Sequence, residues 1–455
     1  MKGRKAGPTR GTPVQNRQPG AHGVNAAPPR LYACGMTQRF DESTPRFSTG
    51  PFRVAALCLA LVLVGSGARA SDPAPAPAPP APVAKEPSRP ENLVASQRLM
   101  DIVSALPTRR AAFSDEAHKK GLRDTEAYLV RELKALGYEP QLEPIDFLGG
   151  DHDEPAWNNV YVDIPGSDPR FKSEWLFLGA HFDAVADAPG ADDNGTGTAA
   201  VLEAARVLKN RPMKRSVRLI FFNLEEVGLV GSRAHAGRLQ ERVEKGELKI
   251  VGMVSLDMLG YFSTKPGSQK SPLPESKHFK PPNVGDFIGL AGILPHRTFS
   301  QALVKAMYQS APGNEPAIAR RGKGRDAQAD RADRKPGMNP DHPDEPGVKI
   351  VAVDFLPIAP PDLLRSDHAP FLAINVPAVI LSDTANFRSP HYHQPSDTIE
   401  TLDRARFTAT TRAVIGALYR LAGPGDEPNE PPVLAPPKVT DDENALTPTP
   451  ANSEK

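Results

Sequence analysis

Three apolar runs in this chain each stop on acidic residues, and that repeat constrains the fold more than any other feature. Trp175-Leu176-Phe177-Leu178 leads into His181 and Asp183, Val217 to Asn223 leads into Glu225 and Glu226, and Ile250 to Leu256 leads into Asp257. Runs this short and this apolar read as strands buried on both faces. Helical stretches, Thr198 to Leu208 and Ser232 to Val243, lie between them. The alternation predicts an α/β protein, a three-layer α/β/α sandwich with a central mixed, mostly parallel sheet. Strand ends are where such folds hold ligands still, while the following loops shape a site.

The first strand-to-helix connection is the most informative. His181 and Asp183 alternate past the strand end, so they can point the same way. Asp192 and Asp193 come just before Gly195 and Gly197, where the backbone can turn tightly into a helix.

Other elements follow from periodicity. A helical stripe runs through Leu93, Leu99, Ile102, Val103 and Leu106, and a second helix from Asp115 to Leu136 is stopped by Gly137. Further strands are expected at Gln141 to Phe147, Asn158 to Ile164, Phe287-Ile288, Val348 to Phe355 and Ala378 to Leu381, with helices from Ser300 to Gln309 and Asp403 to Ala422.

Composition narrows the chemistry. A net charge of +1 over 455 residues gives no whole-chain argument for nucleic acid, and none is expected as a partner. The only cysteines are Cys34 and Cys58, both upstream of every predicted element, so thiolate ligands and a disulfide framework are excluded from the body of the protein. A metal there must be held by imidazole and carboxylate.

The flanks read differently from the body. Residues 1–70 form an N-terminal extension and signal peptide: Arg53, an apolar core from Val54 to Val64, and an Ala68-Arg69-Ala70 end, with cleavage expected after Ala70. The apolar core is too short to span a bilayer comfortably, so export to the periplasm or beyond, without stable membrane insertion once the signal is cleaved, is the expectation, with an uncleaved anchor as the alternative. Residues 71–91 read as a Pro/Ala-rich linker, 92–423 as the catalytic body with loop insertions near 263–283 and 312–347, and 424–455 as a disordered Pro-rich tail. The basic run from Arg320 to Arg325 falls in the second insertion and reads as a solvated loop.

Collected from the strand ends and the later loops, the polar residues are His181, Asp183, Asp193, Glu225, Glu226, Asp257, Asp367 and His393. Two histidines and several carboxylates suit zinc or a related divalent ion at one or two centres. In a two-metal hydrolase one carboxylate bridges the ions, and the Asp192-Asp193 loop can supply it. Neighbours at a strand end point in different directions, so one of Glu225 and Glu226 can bind metal while the other acts as general base. Taken singly, each acid is also an ordinary helix or loop cap; their placement after successive strands argues against coincidence.

The motifs G-A-H181-F-D183, G-A-D192-D193-N-G-T-G, N-L-E225-E226-V-G-L-V-G-S, S-L-D257-M-L-G-Y, S-D367-H-A-P-F and Y392-H393-Q-x-x-D397-T, in this order, resemble metallopeptidase family 28, the di-zinc aminopeptidases typified by secreted bacterial leucyl aminopeptidases. The resemblance covers about residues 93–422. It implies a zinc exopeptidase fold, two Zn2+ ions and a peptide substrate. His181 and Asp257 would hold one zinc, Glu226 and His393 the other, and Asp193 would bridge both. It further implies Glu225 as general base, Tyr392 as a hydrogen-bond donor to the oxyanion, and Asp183 orienting His181. Asp367 is expected to support a ligand, with a loop-capping role as its alternative; His368 and His391 are expected at packing or rim positions.

Two other functions fit parts of the pattern. A glutaminyl-peptide cyclotransferase would share the scaffold with a single zinc, but relatives of that kind interrupt the segment between the double Glu and Gly-Ser, which is continuous here. A non-catalytic binding ectodomain would lose ligands or the general base, and this chain retains the set.

Overall fold

The sheet is ordered by which strands must be buried on both faces. The computed structural model describes residues 89–146, 156–272, 275, 280–311, 338–339, 342–355, 361–425 and 431–434, with backbone alone for 338–339 and 342–345. All of them belong to one unit, Pro82–Lys455. The strands are β1 (Gln141–Ile145), β2 (Trp157–Ile164), β3 (Glu174–His181), β4 (Ser216–Phe222), β5 (Lys249–Leu256), β6 (Ile288–Ile293), β7 (Met338–Asn339), β8 (His342–Pro346), β9 (Ile350–Phe355) and β10 (Ala378–Ser382). Eight of them form one sheet in the order β1-β2-β4-β3-β5-β10-β6-β9, and β7 and β8 pair separately. The core β4-β3-β5-β10 is parallel, β1, β2 and the β10–β6 junction are antiparallel, and β6 and β9 are parallel again.

Successive residues of the central strands feed two different cores, as the period of two requires. Leu176, Leu178 and Ala180 of β3 and Val217, Leu219 and Phe221 of β4 join the larger cluster. Phe177, Ile220 and Phe222 join the smaller one on the opposite face. The larger core is covered by α1 (Ser96–Ala105), α2 (Glu116–Ala135), α3 (Gly197–Leu208), α5 (Arg297–Ser310) and α7 (Arg404–Ala422); α4 (Val230–Glu244) and α6 (Ala369–Ala373) cover the other. This is the three-layer α/β/α sandwich with a mixed sheet.

Local chemistry sets the helix ends. Asp115 caps α2 by accepting the His118 N–H at 3.0 Å, and Asp403 caps α7 by accepting the Arg406 N–H at 3.0 Å. In α3 nearly every residue is buried, and its alanines let it lie close to the sheet. Its one buried acid, Glu203, accepts the Ala95 N–H at 2.8 Å and pairs with Arg206.

Topology then positions the site. The chain leaves β3, passes through α3 to β4 on one side, and returns through α4 to β5 on the other, so the carboxyl ends of β3 and β5 flank a crevice at a switch in strand order.

Several boundaries depart from sequence expectation. Glu91, assigned to the linker, is buried and ion-paired with Arg420 at 2.6 Å. The tail expected to be disordered is in part packed: Pro424 bridges to Met213, and Leu434, 1% exposed, sits in the larger core. Composition registered the prolines around that leucine, and only the fold supplies a slot for it. The segment 312–347, read as irregular, contains the β7–β8 ladder. The signal peptide, most of the linker, Arg320 to Arg325 and the end of the tail lie outside the described residues. Among the described residues, no helix is long and apolar enough to cross a membrane.

Candidate metal centre

Each strand-end acid is delivered by a short stretch of backbone with little freedom. His181 ends β3, Asp257 follows β5 directly, and Glu225 and Glu226 follow β4 after Leu224, which turns with φ +60°. The β3–α3 connection closes in a tight coil, Ala191–Thr196, in which Asp193 and Asn194 leave helical geometry. Gly190 takes φ +67°, a conformation that favours glycine. Gly197 is required for a different reason: a Cβ there would lie 2.7 Å from the Leu256 carbonyl oxygen at the end of β5. The Asn194 side chain ties the same two elements, donating to the Leu256 carbonyl at 2.8 Å and accepting the Gly197 N–H at 3.0 Å.

The acids and imidazoles converge. Asp193 lies between the two histidines, with Oδ1 3.5 Å from His181 Nε2 and Oδ2 3.2 Å from His393 Nε2. His181 Nε2 is also 3.8 Å from Asp257 and 4.0 Å from Glu225, and His393 Nε2 is 3.1 Å from Glu226. Donor atoms of His181, Glu225 and Asp257, and of His181, Asp193 and Glu226, gather closely enough for each set to hold one ion. Glu225 is thus within reach of a ligand position, and its distinction from Glu226 rests on neighbours: Glu226 contacts His393, and Glu225 leans toward His181.

Burying four carboxylates together is costly without a cation. Burial, then the neighbouring Glu226, push Asp193 up to about 7. Burial also raises Glu225, against the pull of His181. Burial opposes charge on His393, but its hydrogen bonds with Asp193 and Glu226 dominate and raise it to about 10. Asp257 moves the other way: burial would raise it, and His181 and Ser366 hold it below the ordinary range. Glu226 Oε1 is buried without a hydrogen-bond partner. A cluster of N and O donors with an orphaned carboxylate oxygen and no thiolate fits a divalent ion such as zinc.

Asp183 does more than the sequence suggests. Its carboxylate is 3.5 Å from His181 Nδ1, which lies nearer, at 3.2 Å, to the Asp183 carbonyl. The same carboxylate accepts the N–H of Glu225 and of Glu226, both at 3.1 Å. Tyr392 lines the cavity with its ring stacked on His393 at 3.8 Å; burial, then the Asp193 charge, raise its hydroxyl. Asp367 is fully buried and raised to about 7 by burial, yet its oxygens make no hydrogen bond with any of the convergent residues. His368 is buried with Nε2 3.0 Å from the Leu363 carbonyl, and His391 bonds Ser396 at the rim.

Three contributors escaped sequence reasoning. Asp397, present only as part of a motif, accepts the N–H groups of Asp192 and Asp193 at 2.9 and 3.1 Å. Asp383 pairs with the neighbouring Asp192 deep in the structure. Arg110, 1% exposed, donates to the carbonyls of Phe182, Pro189 and Gly190 and so ties both ends of the loop that precedes Asp193. None has a local sequence signal, because each acts on backbone groups or on a residue distant in the chain.

The centre opens into a cavity of about 500 Å³. Its floor includes a row across three strands, Ile380 opposite Ala291 opposite Val353. The first insertion forms a wall: Gln269 is pinned by Thr384 and Arg388, each at 2.8 Å, and this brings Lys270 to Pro272 to the cavity.

The sequence profile of peptidase family M28 matches residues 159–280 and 356–418, the two blocks that carry the convergent residues. The chain belongs to peptidase family M28. Similarity to individual proteins is uneven. An uncharacterised Escherichia coli protein, YfbL, is 27% identical over 305 residues, covering 64% of this chain and 78% of that one. Aminopeptidase YwaD of Bacillus subtilis is 42% identical, but over 86 residues, 19% of this chain and 18% of its own. An aminopeptidase structure from Aneurinibacillus sp. strain AM-1 superposes with a TM-score of 0.50 at 17% identity, covering 76% of this chain and 98% of that one, and so shares the fold.

Proposed function

We propose that this protein is an exported zinc-dependent aminopeptidase that removes N-terminal residues from peptides, with two ions in its centre. The observation that carries the reading is Asp193, whose two oxygens face separate histidines at 3.5 and 3.2 Å. A carboxylate so placed suits a bridge, with His181 and Asp257 completing one ion's donors and Glu226 and His393 the other's. Bound zinc supplies Lewis acidity, polarising the scissile carbonyl and acidifying the attacking water.

The chain's own groups do the rest. Glu225, its proton affinity raised by burial, takes a proton from the attacking water and returns it to the leaving amine. The Tyr392 hydroxyl, held protonated in the same cavity, donates to the oxygen that gains charge as the carbonyl becomes tetrahedral. Asp183 fixes both glutamates through their backbone amides, so base and ligand are aimed by one group. The apolar floor accommodates a substrate side chain and excludes water around it. Export is supported by the Arg53 to Ala70 pattern.

The test pairs an aminoacyl anilide with a peptide bearing N-terminal glutamine, with zinc counted on the same preparation. Anilide hydrolysis that is lost on chelation and restored by zinc is expected. Glutamine cyclisation without anilide hydrolysis would overturn the reading in favour of a cyclotransferase, and a chain without zinc or turnover would leave a binding ectodomain.

A further inference from the structure

Two buried aspartates in this molecule do the same unusual thing. Asp183 spans the N–H groups of Glu225 and Glu226, and Asp397 spans those of Asp192 and Asp193, one amide per carboxylate oxygen. Asp397 goes further, since its own carbonyl accepts the Ala191 N–H at 3.2 Å. Three consecutive amides of the coil that carries Asp193 are therefore anchored on one residue some two hundred positions away.

We infer that Asp397 is a positioning residue for the metal centre, holding Asp193 so that its oxygens face His181 and His393 separately. Asp193 lies outside helical geometry, so its own secondary structure does not fix its backbone. Its orientation comes from Asp397 on the amide side and from Arg110, which grips the Pro189 and Gly190 carbonyls just upstream. Asp397 is fully buried, so its charge-assisted bonds are not shared with water. It also lies four residues after His393, with the turn between them closed by the Gln394 and Asp397 amides bonding back to His391 and Gln394. One short segment thus presents a histidine to one side of Asp193 and clamps the backbone of Asp193 itself, so the two ligands move together.

This inference rests on the cluster being a zinc centre, and the experiment separates the two. Zinc affinity of the folded, ion-free chain is measured by competition with a chromogenic chelator, alongside its thermal melting. Asp397→Asn keeps one acceptor but turns an NH2 group toward the second backbone amide. Its zinc affinity is expected to weaken about 10–100-fold, with melting of the ion-free chain close to the parent's. Asp403→Ala, which removes the α7 cap and the Asp403–Arg406 ion pair but touches none of the groups around Asp193, is the structural control: it should lower melting and leave zinc affinity unchanged. Parental zinc affinity in Asp397→Asn would overturn the inference. A parent chain that takes up no zinc would instead overturn the metal-centre reading. Should Asp397→Asn not fold, Asp397→Ser, smaller and with a single acceptor, decides by the same measurement.

Discussion

The two halves of the metal centre are built differently. The His181 half stands on strand ends: His181 closes β3 with its side chain 1% exposed, and Asp257 follows β5. The His393 half stands on a loop. His393 is 34% exposed and takes φ +57°, a left-handed conformation that costs about 1–2 kcal/mol for an L-residue. It is steadied by stacking on Tyr392 and by its carboxylate partners. The difference teaches that one half is preorganised by the sheet and the other by the ligands it gathers. If the centre holds two ions as proposed, the one on the loop side should therefore be the exchangeable one.

The largest effect is expected at the residue the halves share. Asp193→Ala should empty both positions, taking zinc content toward zero and activity below detection; elemental analysis showing one retained ion would break the picture of a shared bridge. Glu225→Gln follows, with kcat lower by about 10²–10⁴-fold and zinc content unchanged. Loss of zinc in that variant would make Glu225 a ligand, which its 4.0 Å approach to His181 leaves room for. Next, His393→Ala should retain close to one ion per chain, and stepwise chelation of the parent should remove one ion before the other. Simultaneous loss would show the halves equally rigid.

The smallest effect concerns the buried support beneath the strand-end half. Burial lowers His368 to about 4. The unfolded chain takes up that proton near pH 6.5 and the folded chain does not, so this contribution is present above about pH 6.5 and lost as pH falls toward 4. Urea unfolding of the ion-free parent and His368→Gln should show their difference narrowing by about 2 kcal/mol between pH 7 and pH 5. An unchanged difference would mean that His368 is not buried neutral.

Much of the centre was legible in the residue pattern. Periodicity located β2, β3, β4 and β5 within a few residues, and the acids at the ends of β3, β4 and β5 converge in space, because a buried strand advertises itself by apolar content and stops where polar residues begin. Asp397 was visible as a letter in a motif but not as a clamp, since accepting backbone amides leaves no mark on the partner's side chain. Leu434 was lost among prolines for the reverse reason: a single apolar residue has no periodicity, and its burial depends on a slot made elsewhere.

The amino-acid sequence alone determined the inventory of N and O donors, the absence of cysteine from the body of the chain and the order in which strand ends deliver those donors, because these are properties of residue type and local pattern. Only the tertiary structure decided which oxygen of Asp193 meets which histidine, that Asp183 holds both glutamates, and that Asp397 sets the coil between them. Those relations depend on strand order and on hydrogen bonds between backbone and side chains far apart in the chain, where spacing along the sequence carries no information about distance in space.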